Sequence, residues 1–287
     1  MGRFSLVPII LTAFSIIFYG NIYIALCALS LSLQSALFLD GLINYFLLAE
    51  IFFATLSVYS IHRLIGLKKI KNNGLNERFI IIQKQQKLLL CFSIFAAAAA
   101  LLFFFYLKFN TRLALILSAL PSLGYIMPLL GNKRLRDIPY LKIFLIAAVW
   151  SFVTVFLPWL ESGRAISGLL ISLILERATF VFAITIPFDI RDMEIEKNLG
   201  VNTIPSAIGI KKSLILSVSM LIVWAISVFL IYPYIFALTM MVVFVISIFL
   251  VLGTAQQRPD YYYTAFLDGT LLLHGVLGSL SIIFSNV

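Results

Sequence analysis

In the segment 187–205, PFDIRDMEIEKNLGVNTIP, three acids recur at i, i+3 and i+7: Asp189, Asp192 and Glu196. If a helix continues past Pro187, then at about 100° per residue these acids fall within about 60° of one another on one face. Arg191 and Glu194 point elsewhere. Carboxylates at that spacing repel one another, so the arrangement asks for a compensating cation. A divalent metal is the simplest, since Mg²⁺ is usually held by one or two carboxylates with water or phosphate completing its shell. The other reading of the same residues is a solvated helix end, because most charge clusters are wet surface.

The elements that must position these acids are apolar. The chain is 62% hydrophobic and 11% charged with a mean hydropathy of +1.08, against about 25% charged residues in soluble domains. That composition identifies an integral membrane protein. Apolar runs of about 18 to 25 residues recur, the length that crosses a hydrocarbon core about 30 Å thick. Runs such as 88–107 do not alternate polar and apolar residues as barrel strands do, so the expected fold is all-α. It is an integral membrane bundle of about nine transmembrane helices in a single domain, 1–287.

The nine spans lie roughly at 5–38, 42–65, 87–107, 112–131, 138–160, 166–188, 213–231, 233–253 and 266–285. The first is long or kinked, and a split at Gly20-Asn21 would give ten elements and reverse the orientation of everything after it. With nine spans, seventeen of the 21 lysines and arginines fall on the side of the N-terminus. Lys108, Arg112 and Arg164 fall on the other, and Arg177 lies within a span. The positive-inside rule then puts the N-terminus and every even-to-odd loop in the cytoplasm. Arg3, followed by a long apolar run with no small-residue cleavage site, reads as the start of a retained helix.

Both long polar segments, 62–87 and 189–212, lie on that side and four helices apart, which suggests an internal repeat of about four helices. Glu50 and Glu176 precede them at similar distances. Acids at membrane depth usually face a bundle interior or a wet cavity, so Glu176 has either a functional role or a structural one beside Arg177. Cys27 and Cys91 read as small buried hydrophobes. No nucleic-acid motif, disulfide framework, glycine-rich phosphate loop or nucleophile triad is visible.

The string from Asp189 through Arg191, Asp192, Glu194 and Glu196 to Gly200, Asn202-Thr203-Ile204-Pro205, Gly209 and Lys211 resembles the second Asp-rich motif of the UbiA superfamily of membrane prenyltransferases. Tyr125, Pro128 and Lys133-Arg134 are similar to that family's YxxP and KR loop after the fourth helix. The resemblance implies nine transmembrane helices around a central cavity, with polar caps on the cytoplasmic side. It also implies transfer of an isoprenyl group from a polyprenyl diphosphate to a small acceptor, aromatic or a lipid precursor, in a membrane of the bacterial inner type. Mg²⁺ would be held by Asp189, Asp192 and Glu196 as the catalytic set, Glu196 standing where the family has a second Asp.

The family's first motif, NDxxDxxxD, is expected at the end of span two. Val58, Tyr59, His62 and Gly66 occupy its four positions, and only Arg63 matches. Half of the metal ligands are therefore replaced, and a neutral His62 is a poor Mg²⁺ ligand. Arg63, Lys68, Lys133, Arg134, Arg191 and Lys197 are the candidates for contacting diphosphate oxygens directly; lysines here also serve as ordinary positive-inside residues against anionic lipid. Tyr59, His62 and Tyr125 are candidates for the substrate pocket, and Trp150 and Phe188 for shielding an allylic cation. Two further readings stay open, a non-catalytic relative that binds a prenyl lipid or quinone or scaffolds a pathway partner, and a transporter using Glu50 and Glu176.

Overall fold

The computed structural model describes residues 17–39, 43–69, 83–127, 134–198 and 200–285. Among them there is no strand. The helices are α1 Ile22–Phe38, α2 Tyr45–Lys69, α3 Gln86–Phe104, α4 Phe109–Ile126, α5 Leu141–Ser162, α6 Gly168–Asn198, the short α7 Ile204–Ile208, α8 Ile210–Ile231, α9 Tyr234–Gly253 and α10 Tyr262–Ser285. Seven of these, α2, α3, α5, α6, α8, α9 and α10, are long and apolar enough to cross a membrane. Each of the nine expected spans overlaps one helix among α1 to α6 and α8 to α10, and the protein is an all-helical integral membrane bundle.

The first expected span is broken. Asn21 takes the left-handed conformation (φ 64°) after Gly20, and α1 starts only at Ile22; residues 5–16 of that span lie outside the described residues. Arg63 Nη1 donates to the Tyr19 carbonyl at 2.7 Å and Asn21 Nδ2 to Ser60 Oγ at 3.1 Å. The break is therefore pinned beside the end of α2, and α1 starts where α2 finishes.

α6 runs unbroken through Pro187 for 31 residues, about 46 Å at 1.5 Å per residue. That exceeds a hydrocarbon core by about three turns, so its last turns, with Asp189 to Glu196, reach beyond one membrane face. The helix is then stopped by Gly200 at φ 73°, with Gly200 N–H donating to Lys197 O and Val201 N–H to Glu196 O, the double bond of a Schellman cap.

Two features of the interior hold the helices in place. α1 and α10 approach closely where α10 carries Gly275 and Gly278: a Cβ on Gly275 would lie 2.6 Å from the Leu31 amide nitrogen, so only glycine lets these backbones meet. Beside that contact Arg177, fully buried, donates to Gln34 Oε1 and Thr154 Oγ1 at 3.1 Å each and to the Leu31 carbonyl at 3.4 Å. Thr154 lies in a π-helical segment of α5, Phe152–Phe156. Glu176 accepts from Trp224 Nε1 and lies 3.8 Å from His274 Nε2. One polar cluster thus ties α1, α5, α6, α8 and α10 together, with Glu176 at its centre beside Arg177.

Candidate functional site

Asp189 and Glu196 are two helical turns apart on α6 and so lie nearly in line along its axis. Both face the start of α5. There Lys142 Nζ lies 2.6 Å from Asp189 Oδ1 and 2.5 Å from Glu196 Oε1. Lys142, Asp189 and Glu196 are 7%, 1% and 3% exposed, so this is a desolvated charge triad. Such a site is tolerable only when each charge is compensated.

A second cation completes the balance. Arg136, in the 3₁₀ turn Leu135–Asp137 that precedes α5, reaches Glu196 Oε1 with Nη2 at 3.3 Å. Its Nη1 stands 3.1 Å from His62 Nε2 on α2, and its guanidinium lies over the Tyr125 ring at 5.1 Å. Tyr125 is also 5.5 Å from the His62 ring. Deeper along α2, the Tyr59 hydroxyl accepts from Trp150 Nε1 at 3.1 Å. The ends of α2, α4 and α6 and the start of α5 therefore meet in one continuous set of charges and rings.

The remaining expected residues are placed otherwise. Among the described residues Asp192 makes no ion pair with Lys142 and takes a two-point contact from Arg191, at 2.8 and 2.9 Å. Arg191 also pairs with Asp260 at 3.4 Å and lies over the Phe188 and Tyr263 rings, so this pair belongs to the seam between α6 and α10. Arg134 is held by Asp137, its Nη2 2.7 Å from Oδ1. Burial pushes the Asp137 carboxyl up, but the hydrogen bonds and charge of Arg134 outweigh it and hold the group below the usual carboxylate range. Arg63 is engaged with Tyr19, and Lys197 is exposed. Lys133, Pro128 and the side chain of Lys68 lie outside what is described.

Of the three carboxylates expected to share one ion, the structure brings two together, and around an ammonium. Among the described residues no three His, Cys, Asp or Glu side chains gather closely enough to hold a metal. Glu196 Oε2 is buried without a hydrogen-bond partner, but a divalent ion there would sit beside Lys142 and Arg136 in a site whose two negative charges are already matched. The donor set as it stands does not fit Mg²⁺. Lys142 and Arg136 were legible in the sequence only as basic residues on the positive side; the distinguishing signal is that Lys142 falls inside an apolar run, after Tyr140 and Leu141.

No family model matches the chain, and no curated protein does. Solved structures do match. A UbiA homolog from Archaeoglobus fulgidus bound to GPP and Mg²⁺ superposes with a TM-score of 0.65 at 14% identity, covering 93% of this chain and 99% of that one. An apo UbiA homolog from Aeropyrum pernix K1 gives 0.66 at 14% identity over 92% and 98%, and a digeranylgeranylglyceryl phosphate synthase 0.57 at 16% over 94% and 98%. The protein has the fold of the UbiA homologues along nearly its whole length.

Proposed function

We propose that the protein is a membrane prenyltransferase of the UbiA superfamily. It takes an isoprenyl diphosphate at the end of the bundle formed by α2, α4, α5 and α6 and transfers the prenyl group to a small acceptor, aromatic or a lipid precursor. The observation that carries the proposal is the buried array of His62, Arg136, Glu196, Lys142 and Asp189 at that end, in a chain whose fold is that of homologues solved with GPP or DMAPP. Seventeen of the 21 lysines and arginines fall on the side of this end when nine spans are counted, which supports a cytoplasmic orientation, where a soluble diphosphate would arrive.

Breaking the bond between an allylic carbon and diphosphate places negative charge on the leaving group and positive charge on the prenyl carbon. Neighbouring homologues are solved with Mg²⁺ or Cd²⁺; here the side chains available for the leaving group are cationic. Arg136, released from Glu196 and His62, offers paired donors that match phosphate oxygens. Arg63 and Lys68, in the last turns of α2, and Lys133 and Arg134, ahead of α5 in the sequence, belong to the same positively charged side of the chain. Tyr125 and the Tyr59–Trp150 pair supply ring faces that attract a cation by about 0.5 to 2 kcal/mol each and exclude water.

Calorimetric titration of geranylgeranyl diphosphate into the detergent-purified chain, with a mass-spectrometric screen of phenolic and glycerophosphate acceptors, tests this. Saturable binding with acceptor turnover is the expected result, and failure of the wild-type protein to bind either this diphosphate or one with a shorter prenyl chain ends the proposal. A second reading, a non-catalytic binder of prenyl lipid, is favoured by Lys142 pairing with both carboxylates. It predicts binding without turnover of any acceptor.

A further inference from the structure

We infer that Lys142 is the resident cation of this site: its ammonium takes the place between Asp189 and Glu196 that a divalent ion would otherwise fill. The wild-type protein then binds no divalent metal at these carboxylates, and it gains such a site when Lys142 becomes a neutral side chain of similar length.

Four observations carry the inference. Oxygens from Asp189 and Glu196 both contact one nitrogen, at 2.6 and 2.5 Å, so they converge on a point, as ligands of a single cation do. That nitrogen is built in rather than borrowed from the surface. Lys142 is the second residue of α5 and is buried, and the turn before it is fixed. Tyr140 takes a left-handed φ of 63° and its N–H donates to the Asn202 carbonyl at 3.1 Å, a conformation uncommon for a bulky residue. It ties the start of α5 to the loop that follows α6.

Charge decides the rest. Asp189 and Glu196 carry two negative charges; Lys142 and Arg136 carry two positive ones. A divalent ion entering beside them would leave buried charge uncompensated, which is far costlier than leaving the site as it is. Finally, no acid reaches the site from α2, whose single acid, Glu50, lies twelve residues before His62; His62 presents a ring nitrogen to Arg136 instead. The inference concerns the carboxylates alone and holds whether or not the chain transfers a prenyl group.

The test uses Mn²⁺ alone, without any prenyl diphosphate, so that its failure and the failure of the proposed function are distinct. Free Mn²⁺ is followed by electron paramagnetic resonance during titration of detergent-purified wild type, Asp189→Asn, Lys142→Met and the double variant Lys142→Met/Asp189→Asn. Wild type and Asp189→Asn are expected to give superimposable curves up to millimolar Mn²⁺. Lys142→Met should withdraw one equivalent that the double variant does not, and its thermal midpoint should rise with Mn²⁺. Stoichiometric uptake by wild type that Asp189→Asn abolishes overturns the inference and needs no variant of Lys142. A folded Lys142→Met protein, or Lys142→Gln in its place, that takes up no Asp189-dependent Mn²⁺ overturns it equally.

Discussion

Arg136 Nη1 stands 3.1 Å from His62 Nε2, and because a guanidinium only donates, this histidine nitrogen must carry its lone pair. One side chain in a short 3₁₀ turn thereby couples the end of α2 to Glu196 on α6. A diphosphate arriving at this end competes for the same guanidinium. Arg136→Ala should weaken geranylgeranyl diphosphate binding tenfold or more, since a hydrogen bond to a charged group is worth about 1.5 to 3 kcal/mol. Arg136→Lys keeps the charge but not the paired donors and should recover only part of that loss. Calorimetric titration of the three proteins checks the order.

If cationic side chains hold the leaving group, metal removal should matter little. Geranylgeranyl diphosphate affinity measured in excess EDTA is expected to stay within about threefold of its value in millimolar Mg²⁺, well under the loss that a single charge-assisted hydrogen bond causes. A drop of two orders of magnitude on chelation would return the leaving group to a metal. It would also show that the ion arrives with the substrate if wild type binds no Mn²⁺ on its own.

Asp189 and Asp192 differ in burial and partner, so their variants should separate. Asp189 is almost wholly buried against Lys142, and removing one partner of a buried pair costs about 3 to 5 kcal/mol. The Asp192 side chain is 26% exposed in its pair with Arg191, and Arg191 keeps Asp260 as a second carboxylate partner, so no charge is left buried alone. Asp189→Asn should therefore lower the thermal midpoint in detergent markedly and Asp192→Asn slightly. Equal shifts would mean that the two carboxylates share one environment.

The contrast between these two acids also marks what the sequence could reveal. The alignment of Asp189 with Glu196 follows from residue spacing once a helix is taken to continue past Pro187, and the nine apolar segments follow from hydropathy, but the continuation itself is seen only in α6. Nothing local says that Asp192 prefers its own neighbour Arg191, or that Asp260, 68 residues later, shares that arginine. Lys142 was hidden for a different reason. A basic residue near the start of an apolar segment on the positive side reads as topology, and only the packing of α5 against α6 turns it toward the acids. The break at Gly20-Asn21 was visible as an option in the sequence, but its placement depends on Arg63 and Ser60 of a different helix.

The meeting of α1 and α10 makes a steric prediction. A Cβ at Gly278 would lie 2.8 to 2.9 Å from atoms of Gln34, and one at Gly275 would overlap the Ser30–Leu31 backbone. Gly275→Val should destabilise by about 1 to 3 kcal/mol or more, the usual cost of overpacking, because backbone cannot move aside as a flexible side chain does. Gly66→Ala, where nothing lies within 4 Å of the new methyl, is the control and should be neutral or slightly stabilising. Melting curves of the two variants side by side decide the point.

Arg177 and Glu176 test whether the interior cluster is structural. Arg177 is surrounded by Gln34, Thr154 and Leu31, while Glu176 meets Trp224 and, at longer range, Arg177 Nε at 4.0 Å and His274. Arg177→Met leaves Glu176 as a buried anion without its cation and should cost about 3 to 5 kcal/mol. Adding Glu176→Gln removes that anion while keeping an acceptor for Trp224, so the double variant should regain at least half of the loss. Geranylgeranyl diphosphate affinity should be unchanged in the double variant, because thirteen residues of α6, about 20 Å, separate Glu176 from Asp189. Restored stability with lost binding would instead extend the substrate site into the middle of the membrane. An additive double variant would show that the two charges act independently.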